Sequence, residues 1–198
     1  MPLWVVMFIG LVGALFGVKL LYVISTGGML PVTRGALFVS TATPRVEAIL
    51  DAVPMKPGDR LYDLGCGDGR VLRAAVRRYG VSATGFEVNP TAYLTARTLS
   101  LGNKRVRICY GNFWKADLSG ADVVFCYLFP DLMERLALKL ARELRPGTRV
   151  VSCNFPLSRW QATQILHPQP RRHGDPIYLY RFPDSAPESL EIPHSSES

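Results

Sequence analysis

The 198-residue sequence contains no C-x-x-C pair, and no cysteine or histidine stands at metal-ligand spacing, which argues against a zinc site or a disulfide framework. Its four cysteines, Cys66, Cys109, Cys126 and Cys153, fall in a glycine loop or in apolar strand-like runs and read as buried thiols in a reducing compartment. The three histidines, His167, His173 and His194, lie late among prolines and polar residues and read as surface groups. Base-stacking aromatics are missing beside the basic residues. Arg70, Arg73, Arg77 and Arg78 share one helical stretch without them, so the net charge of +7 reads as a solvated face or as attraction to anionic lipid, and nucleic acid is not an expected partner.

Charge is almost absent from Leu3 to Ile24, where Lys19 stands alone. A run of roughly twenty apolar residues is the length of a membrane span. Met1-Pro2 offers no positive charge and the run exceeds the usual signal-peptide core, so residues 1–25 read as a retained transmembrane anchor rather than a cleaved signal. Lys19, Arg34 and Arg45 put positive charge on the C-terminal side, which faces the body of the chain to the cytoplasm, at the inner membrane of a bacterium. Gly13 and Gly17, with Gly10 one turn earlier, permit a homodimer through that helix, although glycine is common in membrane helices anyway. Residues 26–42 read as a linker.

The densest motif is Asp63-Leu64-Gly65-Cys66-Gly67-Asp68-Gly69, set between an apolar strand-like run and a helical pattern. Alternating glycines allow left-handed turns and close approach of a ligand to the backbone. The helix start that follows offers unpaired N–H groups. A nicotinamide site wants G-x-G-x-x-G and a diphosphate; here Asp63 precedes G-x-G-x-G, the loop holds no basic residue, and its carboxylate would repel a diphosphate while suiting an ammonium. S-adenosylmethionine, with an ammonium, a carboxylate, a ribose and no phosphate, matches that chemistry.

From Thr43, read as a helix N-cap before Pro44, the pattern alternates helix and strand, the mark of a mostly parallel sheet covered on both faces. Val46, Ile49, Leu50 and Val53 share one side of the opening helix. Strands are expected at 60–64, 82–87, 106–110, 122–127 and 149–154, with helices at 69–79, 90–101 and 131–144. Residues 160–166 and 177–182 then read as an antiparallel hairpin at the sheet edge, and 183–198, rich in Ser, Pro and Glu, as a disordered tail. The fold class is therefore α/β and Rossmann-like, a domain over 43–182 behind one transmembrane helix.

Ligands of such sheets sit beyond the strands' carboxyl ends, where strand order reverses. Asp63, Gly65, Cys66 and Gly67 form the methionine end of the expected site. Glu87 closes the second strand at the place of a ribose-binding acid, and Val88 packs on the adenine. Asn112 offers its amide oxygen to the adenine amino group and Phe113 its backbone N–H to a ring nitrogen. Trp114 either covers the ring or is structural. Tyr127, in Tyr127-Leu128-Phe129-Pro130, faces the transferred methyl group and is the catalytic candidate, with Asp131 and Glu134 behind it; capping the next helix is the competing role for Asp131. An Asn or Asp followed by Pro-Pro and an aromatic, typical of enzymes acting on adenine or glutamine amides, is absent at this point.

The glycine loop, Glu87 and the strand order resemble the seven-strand class of S-adenosylmethionine-dependent methyltransferases. With the apolar N-terminal run, the Thr43-Pro44 helix and Tyr127-Leu128-Phe129-Pro130, the sequence is similar to the membrane-anchored protein-lysine methyltransferases related to those that modify the c-ring protein of mitochondrial ATP synthase and the adenine nucleotide translocase. The resemblance implies methylation of a lysine side chain in a membrane or membrane-proximal protein. A methyltransferase of a small molecule, lipid or RNA, and a non-catalytic cofactor-binding module, stand as alternatives.

Overall fold

Apolar residues without interruption by glycine pairs or proline favour helix over 3–27, and the computed structural model places a 25-residue helix, α1, at Leu3–Gly27. The model describes residues 2–27, 43–167 and 176–187, and the chain divides into two compact units, 1–38 and 39–198. The expected transmembrane anchor is not supported: among the described residues no helix is long and apolar enough to cross a membrane. The expectations that hung on the anchor fall with it: a bilayer partner, a dimer through that helix, the cytoplasm-facing orientation and the inner-membrane location. The expected linker lies outside the described residues from position 28 onward.

In the second unit the amphipathic pattern forms α2, Thr43–Ala52, and its apolar side goes inward, with Val46, Ile49, Leu50 and Val53 all buried. The alternation that follows gives β1 (Arg60–Leu64), α3 (Arg70–Tyr79), β2 (Ser82–Glu87), α4 (Pro90–Leu99), β3 (Val106–Tyr110), β4 (Val123–Cys126), α5 (Met133–Glu143), β5 (Arg149–Cys153), β6 (Gln164–Leu166) and β7 (Ile177–Arg181). One seven-stranded sheet results, in the order β3-β2-β1-β4-β5-β7-β6. β1 to β5 run parallel, and β7 is antiparallel to both β5 and β6. Strand order reverses between β1 and β4, so the crevice for a ligand opens at their carboxyl ends.

Each face of the sheet carries its own core. On one, α2 and α3 pack Leu50, Leu72 and Ala75 against Leu61 and Ala83; on the other, α5 packs Leu136 and Leu140 against Val124 and Val150. All four residues of β4 are buried, as its unbroken apolar run implies.

The C-terminal region departs from expectation in two places. The edge strand is only Gln164–Leu166, because Trp160 turns inward instead, edge-on to Tyr180 at 5.9 Å and stacked on Phe182 at 6.0 Å, while the Gln161 N–H donates to the Ser185 carbonyl at 2.9 Å. Ser185, expected in a tail with too little apolar material to fold, is buried. Its N–H donates to the Arg181 carbonyl at 2.9 Å and its Oγ accepts from the Arg181 N–H at 3.1 Å. Hydrogen bonding, not apolar content, holds this turn. Residues 188–198 lie outside the described set, as do residues 168–175.

Candidate functional site

Asp63 is the penultimate residue of β1, level with Gly85 of β2 and Phe125 of β4. It is only 2 % exposed, and its Oδ1 has no hydrogen-bond partner among the described residues. Burial holds its carboxyl well above the ordinary carboxylate range, and the charges of Glu87 and Asp68 push it the same way. A buried carboxylate oxygen left without a donor costs upward of about 1–3 kcal/mol. A cationic group arriving at this position would supply both the charge and the missing donors.

The loop after Asp63 turns on left-handed glycines. Gly65 has φ 93°, and a Cβ there would stand 3.2 Å from Leu128 Cδ2; Gly69, at φ 74°, caps α3 without a side chain. Backbone N–H groups of Gly65 and Cys66 both donate to the Phe86 carbonyl at 3.0 Å, which fastens the loop to β2. At the start of α3, Asp68 accepts from the Arg70 N–H at 3.1 Å and pairs with the Arg70 guanidinium at 2.6 Å. Those contacts hold the Asp68 carboxyl below its usual range against the opposing effect of burial. The helix start is thus furnished with a carboxylate of its own, and with Asp63 close by it is a poor seat for a diphosphate.

Glu87 ends β2 and is buried. Its Oε2 accepts from the Gly67 N–H and its Oε1 from the Asn89 N–H, both at 2.8 Å. Burial raises its pKa, and these backbone donors offset only part of the rise. The expected ribose-binding acid therefore has a second task, tying the glycine loop to the end of β2. Each oxygen keeps further acceptor capacity for a hydroxyl. Val88, next in the chain, is half-buried, and Asn89 caps α4 through the N–H groups of Thr91 and Ala92.

Three expected site residues also make contacts within the protein. The Cys66 thiol is buried and pushed up by that burial; its Sγ lies 2.6 Å from where a Cβ on Gly85 would be, so the side chain belongs to the core. Asn112 Oδ1, expected to meet the adenine amino group, accepts the Trp114 N–H at 3.0 Å and caps the short 3₁₀ turn Phe113–Lys115. The Phe113 ring is buried against Trp114 at 4.7 Å. Trp114 carries the Arg135 guanidinium 4.3 Å over its ring, and Lys139 donates to its carbonyl at 3.3 Å, which gives it a packing role against α5.

Tyr127 follows β4, half-buried on the side of the sheet that α2 covers. Its hydroxyl accepts from Asn154 Nδ2 at 2.9 Å, and Arg45 of α2 lies 5.2 Å over its ring. Arg45 Nη2 also donates to Asn154 Oδ1. Asn154 and Arg45 went unnoticed in the sequence, where one ended a strand and the other was a flanking charge; the rule that strand ends carry the site would have found Asn154. Asp131 makes neither helix cap nearby. It lies exposed in the 3₁₀ turn Pro130–Leu132 that precedes α5, and Glu134 is exposed in the first turn of α5.

Comparison with known proteins gives a consistent class. The family model for the ANTKMT methyltransferase domain matches residues 63–164. The chain is 35% identical over 147 residues to a protein-lysine N-methyltransferase of Saccharolobus islandicus (strain REY15A), covering 72% of this chain and 91% of that protein. It is 34% identical to the adenine nucleotide translocase lysine N-methyltransferase of Mus musculus, over 65% of this chain and 57% of the relative. Among solved structures, an RNA methyltransferase from Salinibacter ruber in complex with S-adenosyl-L-homocysteine superposes with a TM-score of 0.70 at 34% identity, covering 77% of this chain and 99% of that one.

Proposed function

The chain belongs to the ANTKMT methyltransferase-domain family, and from that membership we propose that it transfers a methyl group to the side-chain amine of a lysine in a protein. S-adenosylmethionine is the cofactor, and the chain is a methyltransferase of the Rossmann-like class. The residues fit the cofactor: the orphaned Asp63 Oδ1 suits its ammonium, Glu87 its ribose hydroxyls, and the left-handed Gly65 leaves room for its methionine end. When bound, the cofactor supplies an electrophilic methyl on a sulfonium. The protein's share is then alignment of the acceptor and exclusion of water. Tyr127 sits at the carboxyl end of β4, where its hydroxyl can hold an N–H of the acceptor nitrogen while the nitrogen lone pair faces the methyl.

The identity to the Saccharolobus lysine methyltransferase carries the amine reading. A second reading has support of the same order, since the Salinibacter RNA methyltransferase is nearly as identical in sequence over a slightly larger share of the chain. Taken together, the likenesses favour the broad class, a methyltransferase whose acceptor is RNA, a lipid or a small molecule, at least as strongly as lysine specificity.

Incubating the protein with methyl-labelled cofactor and, in parallel, a lysine-rich protein, total RNA and lipid extracts separates these readings. Label on lysine, seen as a gain of one CH₂ in a digest, supports the amine reading. Label confined to RNA or lipid overturns it.

A further inference from the structure

Three side chains from distant parts of the chain meet beyond the carboxyl ends of β4 and β5: Arg45 from the first turns of α2, Tyr127 after β4, and Asn154 after β5. Their donors and acceptors fix one another. A guanidinium only donates, so Arg45 must face the amide oxygen of Asn154, and the amide NH₂ must then face Tyr127. The Tyr127 oxygen is consequently an acceptor toward Asn154. One lone pair is occupied, while the other lone pair and the O–H hydrogen remain for the site.

The backbone at Asn154 is set for this. It has φ 70°, left-handed, one of two such non-glycine residues among those described, and its N–H donates to the Pro176 carbonyl at 2.8 Å just past the last β5–β7 pair, Cys153 with Ile177. That turn carries the side chain across to Tyr127. Glycine would sit there with less strain but would leave the hydroxyl without its donor.

We propose that Asn154 and Arg45 are positioning residues for methyl transfer, Arg45 orienting the Asn154 amide and Asn154 orienting the Tyr127 hydroxyl so that its remaining lone pair receives an N–H of the acceptor amine. This rests on the reading of Tyr127 and of an amine acceptor given above. The acceptor nitrogen enters neutral, having given its extra proton to solvent. Its lone pair forms the new N–C bond as the C–S bond breaks and leaves its electron pair on sulfur, and the methylated ammonium so formed then loses a proton to solvent. Tyr127 holds the N–H that is not consumed, which turns the lone pair toward the methyl.

The test uses the full chain, poly-L-lysine as acceptor and methyl-labelled S-adenosylmethionine, with Asn154→Gly made in the parent and in Tyr127→Phe. Asn154→Gly keeps the left-handed backbone and deletes the amide. It is expected to lower kcat on the order of tenfold and to leave cofactor affinity within about twofold; in the Tyr127→Phe background it adds nothing, because the two residues act as one unit. Asn154→Asp, which keeps the shape but offers only acceptors, should lower kcat while the thermal transition stays in place. Equal losses in both backgrounds, or a parental kcat in Asn154→Gly, overturn the positioning role. A parent that labels no poly-L-lysine, or a Tyr127→Phe variant as fast as the parent, overturns the amine or Tyr127 reading, and the proposal with it.

Discussion

At the scale of single residues, Asp63 concentrates the chemistry. Its folded-state pKa is raised, chiefly by burial, so the stability it contributes is present below its unfolded pKa and is lost as pH rises through the folded pKa. Glu87 is shifted the same way by burial and adds to the same trend. Urea denaturation of the free protein across a pH series should therefore show stability falling as pH rises through this window, and Asp63→Asn should flatten the profile. An ammonium beside Asp63 reverses the balance. Cofactor binding should release a proton from the parent and strengthen with pH, both visible by calorimetry in buffers of different ionisation enthalpy. The acid before the glycines and the acid ending β2 were legible in the sequence because strand ends and G-x-G-x-G place them. The capping role of Asn112 was not legible, because an amide side chain beside a turn serves its own backbone as readily as a ligand, and only the folded geometry reveals the cap.

At the scale of elements, the parallel strands were legible to within a residue or two because buried strands are continuous apolar runs; β1, β2 and β3 match the sequence reading end to end. The edge was not. β6 is a three-residue strand with little burial to mark it, and the Trp160 and Ser185 contacts that shorten it join distant residues through packing no local pattern encodes. The contact of the glycine loop with β2 was equally invisible. A Cβ on Gly85 would lie 2.5 Å from Leu72 Cδ1 and 2.6 Å from Cys66 Sγ, so Gly85→Ala should destabilise the domain by about 1–3 kcal/mol in urea denaturation. Because Cys66 must move, the same variant should bind cofactor more weakly. A stable Gly85→Ala protein of parental affinity would mean that the loop does not depend on this contact.

At the scale of the whole molecule, both hydrophobic cores and every site residue lie in the unit 39–198, and the helix that the sequence presented as an anchor lies in the other. The apolar run was read correctly as a helix, but the span read into it is not supported, since no helix among the described residues is long and apolar enough to cross a membrane. Residues 39–198 alone should keep the urea midpoint and cofactor affinity of the full chain; aggregation or lost binding would show that the first unit is needed for the fold. Strand order reverses between β1 and β4, the place where ligands of such sheets bind, and Asp63 stands at that point. The most direct test of the account is a calorimetric titration of S-adenosylmethionine into the parent and into Asp63→Asn at one pH. The account predicts one site per chain in the parent and affinity at least about tenfold weaker in the variant, the order expected for a charge-assisted hydrogen bond lost from a buried site. Equal affinity in the two proteins would contradict it.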